Sequence, residues 1–139
     1  MDCPLCRIDQ DELVWQDARC RVIRVSDPDY PGFCRVVWNE HIAEMTDLVP
    51  VDRHHLLEVV MATETALRTL MQPAKINLAS FGNMVPHLHW HVIPRFTDDR
   101  HFPESVWGQA QRAGRAHDAP HTSILATEID RALLKQTRS

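Results

Sequence analysis

The chain has 139 residues, a length typical of one domain, and its 19 acidic and 15 basic residues give a net charge of −4. The hydrophobic fraction of 44% and the charged fraction of 24% are those of a globular protein. No apolar run reaches the roughly 18 residues of a membrane span, and no signal-peptide pattern opens the sequence. We therefore expect a cytoplasmic protein with no membrane partner, and the acidic balance argues against a nucleic-acid partner.

Short runs rich in β-branched and aromatic residues predict five strands. They cover residues 13–15, 20–25, 33–38, 75–81 and 87–96. Because Gly82-Asn83 separates the last two runs, we expect them to form a hairpin.

Apolar residues recur about every 3.6 positions between residues 52 and 71, which predicts one long helix with Asp52 as its N-cap and Pro73 just beyond its end. Residues 97–121 show little periodicity and predict an irregular arm, followed by a C-terminal helix capped by Thr127. Strands, a long helix, a hairpin and a final helix indicate an α+β fold with an antiparallel sheet in a single domain, 1–139.

Three of the nine histidines alternate along the last predicted strand, at His87, His89 and His91. Alternate side chains of a strand share one face, so all three are expected to point the same way. A neutral imidazole can attack phosphorus or an acyl carbon, while a protonated neighbour binds the developing anion. Two other interpretations are a half-exposed polar face and a three-histidine metal site. The metal site is disfavoured because alternate positions lie about 7 Å apart.

The run His87-Leu88-His89-Trp90-His91-Val92-Ile93 resembles the histidine triad (HIT) family of nucleotide hydrolases and transferases. Residues 36–41 resemble the strand and histidine that precede the family's helix, and residues 82–85 resemble its phosphate loop. The resemblance covers roughly residues 3–107 and leaves 108–139 as a C-terminal arm and helix. It implies an α+β sheet that usually dimerises, and a purine nucleotide or nucleotide conjugate as the partner molecule.

By this resemblance, His89 attacks the α-phosphorus of a nucleoside phosphate ester, anhydride or phosphoramidate. A nucleotidyl-histidine intermediate forms, His91 binds the phosphoryl oxygens, and no catalytic metal is required. A diadenosine-polyphosphate hydrolase is a second enzymatic interpretation. The non-enzymatic alternative is a nucleotide-binding or interaction protein that keeps the triad but turns over little.

The resemblance also implies substrate-binding residues. Asn77 and Asn83 would contact phosphate, and Trp107 would either line the nucleotide cleft of a partner subunit or pack within its own chain. The position that carries a ribose-binding Asp in many members is Val25, so Asp27 fills that role only if the register shifts. Met84 stands where many members have Ser or Thr, and a thioether donates no hydrogen bond.

Cys3 and Cys6 form a CxxC pair, a spacing that can hold a metal, although two thiols do not complete a tetrahedral site. In the zinc-bearing members that this start resembles, the remaining ligands correspond to His41 and His87. The resemblance therefore implies a structural zinc, with His87 as a ligand rather than a catalytic group. The alternative is an unoccupied remnant of such a site.

Overall fold

The computed structural model describes residues 3–7 and 12–138, with side chains described as far as residue 136. The described chain has the five predicted strands, two α-helices and two short 3₁₀ turns, at Pro4–Cys6 and Met45–Asp47. The strands are β1 Glu12–Gln16, β2 Cys20–Arg24, β3 Cys34–Trp38, β4 Lys75–Ala79 and β5 His89–Arg95. The helices are α1 Pro50–Met71 and α2 Thr122–Arg138.

The strands form one antiparallel sheet in the order β1-β2-β3-β5-β4, which confirms the α+β class. β4 and β5 pair as the expected hairpin, and β4 lies at the edge of the sheet. β5 begins at His89, two residues later than predicted, so His87 lies in the loop before the strand. No helix among the described residues is long and apolar enough to cross a membrane.

The two faces of the sheet differ in what they contact. Val22, Val36 and Val92 are fully buried in the core on the face covered by α1 and α2. The alternate residues face away from the helices, and in the strand pairing Arg35 lies opposite His91. This second face, here called the open face, carries the catalytic candidates.

Both helices begin earlier than the sequence predicted. α1 starts at Pro50 with Val49 as the capping residue, so the prediction of Asp52 as N-cap is wrong, and Asp52 lies in the first helical turn. Proline suits the first position because its missing N–H would have no partner there. α2 starts at Thr122, and Thr127 lies inside it, with Oγ1 donating to the Ser123 carbonyl at 3.0 Å.

Residues 97–121 have no helix or strand, as predicted, but a buried ion pair holds the arm against β5. Arg95 and Asp99 are 2% and 1% exposed, and their side chains join through Nε–Oδ2 and Nη2–Oδ1 contacts of 2.8 and 3.0 Å. Arg95 Nη2 also donates to the Glu104 carbonyl at 2.8 Å. The arm therefore returns across the open face and brings Trp107 next to His91.

Candidate active site

A cavity of about 840 Å³ opens on the open face beside the β4–β5 hairpin. This volume suits a small-molecule ligand such as a nucleotide. Its lining includes most of the predicted site residues together with one arginine that the sequence did not single out. These residues are His89, His91, Asn77, Asn83, Trp107 and Arg35.

The hydrogen bonding and burial of His89 favour a neutral ring with one lone pair available. Its Nδ1 lies 2.6 Å from the backbone carbonyl oxygen of His87, and a carbonyl only accepts, so Nδ1 carries the proton and Nε2 keeps its lone pair. Burial lowers the pKa of His89, and the positive charge of Arg35 adds to this, although the bond to His87 opposes it. The unprotonated ring is therefore favoured at neutral pH.

His91 stands beside His89, with ring centroids 4.9 Å apart and the rings nearly perpendicular. Burial, the neighbouring His89 and the charge of Arg35 lower the pKa of His91 to about 4. The expectation of a protonated neighbouring imidazole is therefore wrong, because His91 is neutral at pH 7. Its Nδ1 is buried and has no hydrogen-bond partner among the described residues, while the residue as a whole lines the cavity.

The predicted phosphate contacts lie on the hairpin. Arg95 Nη1 donates to Asn77 Oδ1 at 2.8 Å, which orients the Asn77 side chain with its amide nitrogen as the donor on the other side. Asn83 is exposed in the loop after β4, next to Gly82, whose φ of 71° lies in the region that favours glycine. Met84 lines the same cavity and is 94% exposed.

Trp107 lines the cavity of its own chain, with its ring centroid 4.9 Å from that of His91 and 5.1 Å from that of Phe81. Asp27 is not brought to this cavity. Its carboxylate instead accepts the Asp29 backbone N–H at 3.0 Å and shapes the loop after β2.

Sequence reasoning missed Arg35 and Phe81, both of which line the cavity. A signal for Arg35 was present, since it is the one charged residue in the apolar run Phe33–Trp38. Its alternation with Val36 places it on the face opposite the core. Nothing comparable singled out Phe81, since an aromatic residue before a turn is also common as ordinary packing.

Four potential metal ligands meet at the N-terminal turn: Cys3, Cys6, His41 and His87. The two imidazole Nδ1 atoms are 3.2 Å apart, and the recorded Sγ–Nδ1 distances are 3.4 to 3.5 Å. Bonds of about 2.0–2.3 Å in a tetrahedral zinc site place ligand atoms about 3.3–3.8 Å apart. The spacing of these atoms therefore fits zinc.

The hydrogen bond of His87 supports the same conclusion. Its Nε2 lies 2.6 Å from the Trp38 carbonyl oxygen and must donate, so Nδ1 carries the lone pair and faces the two thiols. A metal cation binds where several lone pairs converge. The Nδ1 lone pair of His87 points toward the two sulfur atoms and toward His41 Nδ1, which is such an arrangement. The backbone carbonyl of this same His87 accepts the hydrogen bond from His89, so the candidate metal site and the candidate nucleophile share a residue.

A second group of Asp17, Cys20 and His55 has a structural explanation. Asp17 Oδ1 accepts the backbone N–H groups of Arg19 and Cys20 at 2.8 Å each, and Oδ2 lies 2.6 Å from His55 Nε2. Burial raises the pKa of the Cys20 thiol far above its usual value, so it is protonated. These contacts join the β1–β2 turn to α1.

The family model of the HIT domain matches residues 8–98. This match spans well over half of the chain, and it includes α1 and all five strands of the sheet. The protein therefore belongs to the HIT family.

Known proteins agree with this assignment. A histidine triad protein from Bradyrhizobium japonicum is 30% identical, with a TM-score of 0.66 over 91% of this chain and 87% of that one. A Zn-bound histidine triad family protein from Mycobacterium smegmatis, 20% identical, shares the fold, with a TM-score of 0.64 over 99% of this chain and 97% of that one.

A more distant curated relative is an AP-4-A phosphorylase from Mycobacterium tuberculosis. It is 25% identical over 87 residues, which cover 58% of this chain and 45% of the relative. The chain thus spans less than half the length of this relative.

Proposed function

We propose that this protein cleaves a nucleoside phosphate ester, anhydride or phosphoramidate at the α-phosphorus through a nucleotidyl intermediate on His89. The observation that carries the proposal is the Nδ1–H···O=C bond to His87, which aims the Nε2 lone pair into a nucleotide-sized cavity. Nε2 forms a bond to phosphorus while the bond to the leaving group breaks. The leaving group departs with the electron pair and takes a proton from solvent, and the water that attacks in the second step gives a proton back. Water then attacks phosphorus, releases the nucleoside monophosphate and restores the neutral imidazole.

His91, Asn77 and Asn83 are the proposed phosphate ligands. The side chain of His91 lines the cavity beside His89, and the Asn77 amide is fixed by Arg95. Preorganised neutral donors of this kind stabilise a phosphoryl group without reorganising during the reaction. No catalytic metal enters this scheme. Trp107 and Phe81 offer aromatic surface for the base at the mouth of the cavity.

The proposed substrate is a purine nucleotide or nucleotide conjugate. A diadenosine polyphosphate is the second enzymatic candidate, because a distant relative is an AP-4-A phosphorylase. The non-enzymatic candidate, a nucleotide-binding protein of low turnover, is favoured by the exposed Met84, which offers no hydroxyl to assist a leaving group. The Asp27 ribose contact stays a prediction, and it requires the loop after β2 to move toward the cavity.

The ligand geometry supports a structural zinc held by Cys3, Cys6, His41 and His87. The Zn-bound relative of the same fold is consistent with such a site. A bound zinc would tie the N-terminal turn to the loop before β5. It would fix the His87 backbone that orients His89, and its role is structural.

We also propose that the protein is a homodimer formed along the free edge of β4. Glu64 of α1 lines the cavity beside this edge, and Met61, on the same helical stripe, is 42% exposed. Light scattering should then give twice the chain mass of 16.0 kDa. Met61→Asp should dissociate the dimer, whereas Val51→Asp, on another side of α1, should not.

The test of the catalytic proposal compares wild type with His89→Ala. We expect wild type to release AMP from an adenosine phosphoramidate or from diadenosine polyphosphates, and His89→Ala to lose roughly a thousandfold or more in kcat. His121→Ala, a change at an exposed histidine outside the cavity, should keep full activity. Equal inertness of wild type and His89→Ala, with unchanged AMP binding, would instead establish the binding protein.

A further inference from the structure

Arg35 lies next to both histidines of the proposed site. It lies directly opposite His91 in the β3–β5 pair, and the next residue on the same face of β3, Val37, lies opposite His89. Directly opposed residues of antiparallel strands have Cβ atoms about 4.5–5.5 Å apart. Arg35 also lines the cavity, so its side chain shares the space into which His89 and His91 open.

The site needs a positive charge that the histidines do not supply. The reacting phosphate is an anion, while His91 is neutral because its pKa is about 4. A guanidinium keeps its charge at every relevant pH and forms paired hydrogen bonds to two phosphate oxygens. Burial is the main cause of the lowered pKa of His91, and the neighbouring His89 and the positive charge of Arg35 lower it further.

The other cation lining the cavity is badly placed for this role. Lys75 pairs with Arg95, whereas the residue of β4 opposite His91 is Ala79. Lys75 and Ala79 are four residues apart on β4, which corresponds to about 13 Å along the strand. The Lys75 ammonium also donates to the Ile76 carbonyl at 3.1 Å, at the far end of the hairpin.

We propose that Arg35 is the cation that binds the non-bridging oxygens of the reacting phosphate, and that it is therefore a further catalytic residue. The inference rests on the proposed function, because it places the α-phosphate beside His89. Arg35 would hold the phosphate in the ground state and neutralise charge that builds up during attack, while the neutral imidazoles provide the nucleophile and a hydrogen bond.

The test separates phosphate recognition from structural damage by comparing AMP with adenosine in calorimetric titrations. Arg35→Met should weaken AMP binding by roughly tenfold to a hundredfold and leave adenosine binding unchanged. Arg35→Lys should recover part of the AMP affinity, since it restores the charge but not the paired hydrogen bonds. Lys75→Met, the matched control, should bind AMP as wild type does.

Unchanged AMP affinity in Arg35→Met, or an equal loss of AMP and adenosine affinity, would overturn the assignment. If circular dichroism shows that Arg35→Met does not fold, the same comparison is made with Arg35→Lys. If Arg35 binds the phosphate, this variant should also lose affinity for AMP but not for adenosine. If wild type binds no AMP and releases none, the proposed function fails as well. If His89→Ala abolishes turnover while Arg35→Met binds AMP normally, only the role of Arg35 fails.

Discussion

At the residue scale, the spacing of His89 and His91 predicted their shared face but not their protonation. Alternation along a strand follows from backbone geometry, so the sequence carries it directly. The charge state depends on burial and on Arg35, which lies 56 positions before His91 in the chain and reaches it only through strand pairing. The sequence therefore suggested a protonated neighbour, whereas burial in the fold lowers the pKa of both rings and favours their neutral forms.

The lowered pKa values of His89 and His91 have a direct kinetic consequence. Protonation of His89 would remove the lone pair proposed to attack phosphorus, and a lowered pKa moves that protonation to lower pH. We therefore expect the acid limb of the kcat/KM profile to lie below pH 6.5, the ordinary value for an imidazole. Initial rates measured between about pH 4 and 9 at constant ionic strength check this.

Loss of activity through acid unfolding has to be distinguished from loss of activity through protonation of His89. Buried histidines with lowered pKa values bind fewer protons in the folded state, so stability also falls as the pH drops below 6.5. Circular dichroism at each pH identifies the range in which the protein stays folded. If the acid limb of the kcat/KM profile lies at or above pH 6.5 while the protein is folded, His89 does not act as a neutral nucleophile with a lowered pKa.

At the element scale, strand and helix identities were predictable, but the ends of elements and the course of the arm were not. Periodicity identified α1, whereas its start depends on Pro50 rather than on the more familiar capping residue Asp52. In the arm, Asp98 and Asp99 look alike in the sequence. Only the fold shows that Asp99 is 1% exposed and paired with Arg95.

The contrast between these two aspartates gives a stability prediction. Burial alone raises the pKa of Asp99, but hydrogen bonds from Arg95 and from two backbone N–H groups outweigh it and hold the pKa well below the usual range. Asp99→Ala leaves the Arg95 guanidinium buried without its partner. We expect it to lower the free energy of unfolding by about 3–5 kcal/mol, measured by urea denaturation.

Asp98→Ala is the matched control, because Asp98 is exposed and contacts the His117 side chain at 2.7 Å. Its urea midpoint should stay close to that of wild type. If both variants unfold at the same urea concentration, the buried pair does not anchor the arm. Since Arg95 also orients Asn77, Asp99→Ala should weaken AMP binding under conditions in which the protein remains folded.

At the scale of the whole molecule, the four metal-ligand candidates connect segments that are far apart in the sequence. The CxxC spacing is visible in the sequence, whereas the closeness of His41 and His87 to the two cysteines depends on the folded structure. Leu5, between the two cysteines, is 3% exposed and packs with Ile23 and Val37 on the open face. The N-terminal turn is thus part of the structure that supports the histidine strand.

Zinc binding can be tested by comparing alanine substitutions at two exposed histidines, one a candidate ligand and one a control. His41→Ala should lower the zinc content from about one equivalent to a small fraction and lower the thermal midpoint, because a structural metal stabilises the folded state. His54→Ala, also at an exposed histidine, should leave both unchanged. Freshly purified wild type with less than about a tenth of an equivalent of zinc would refute the site.

The position of Trp107 also gives the protein an intrinsic optical reporter. Among the four tryptophans, all within the described residues, Trp107 is 51% exposed and lines the cavity, while Trp38 is only 3% exposed. A molecule that occupies the cavity must shield the Trp107 indole from a soluble quencher such as acrylamide. Ligands can therefore be screened by the fluorescence of the unlabelled protein, without a turnover assay and before the substrate is known.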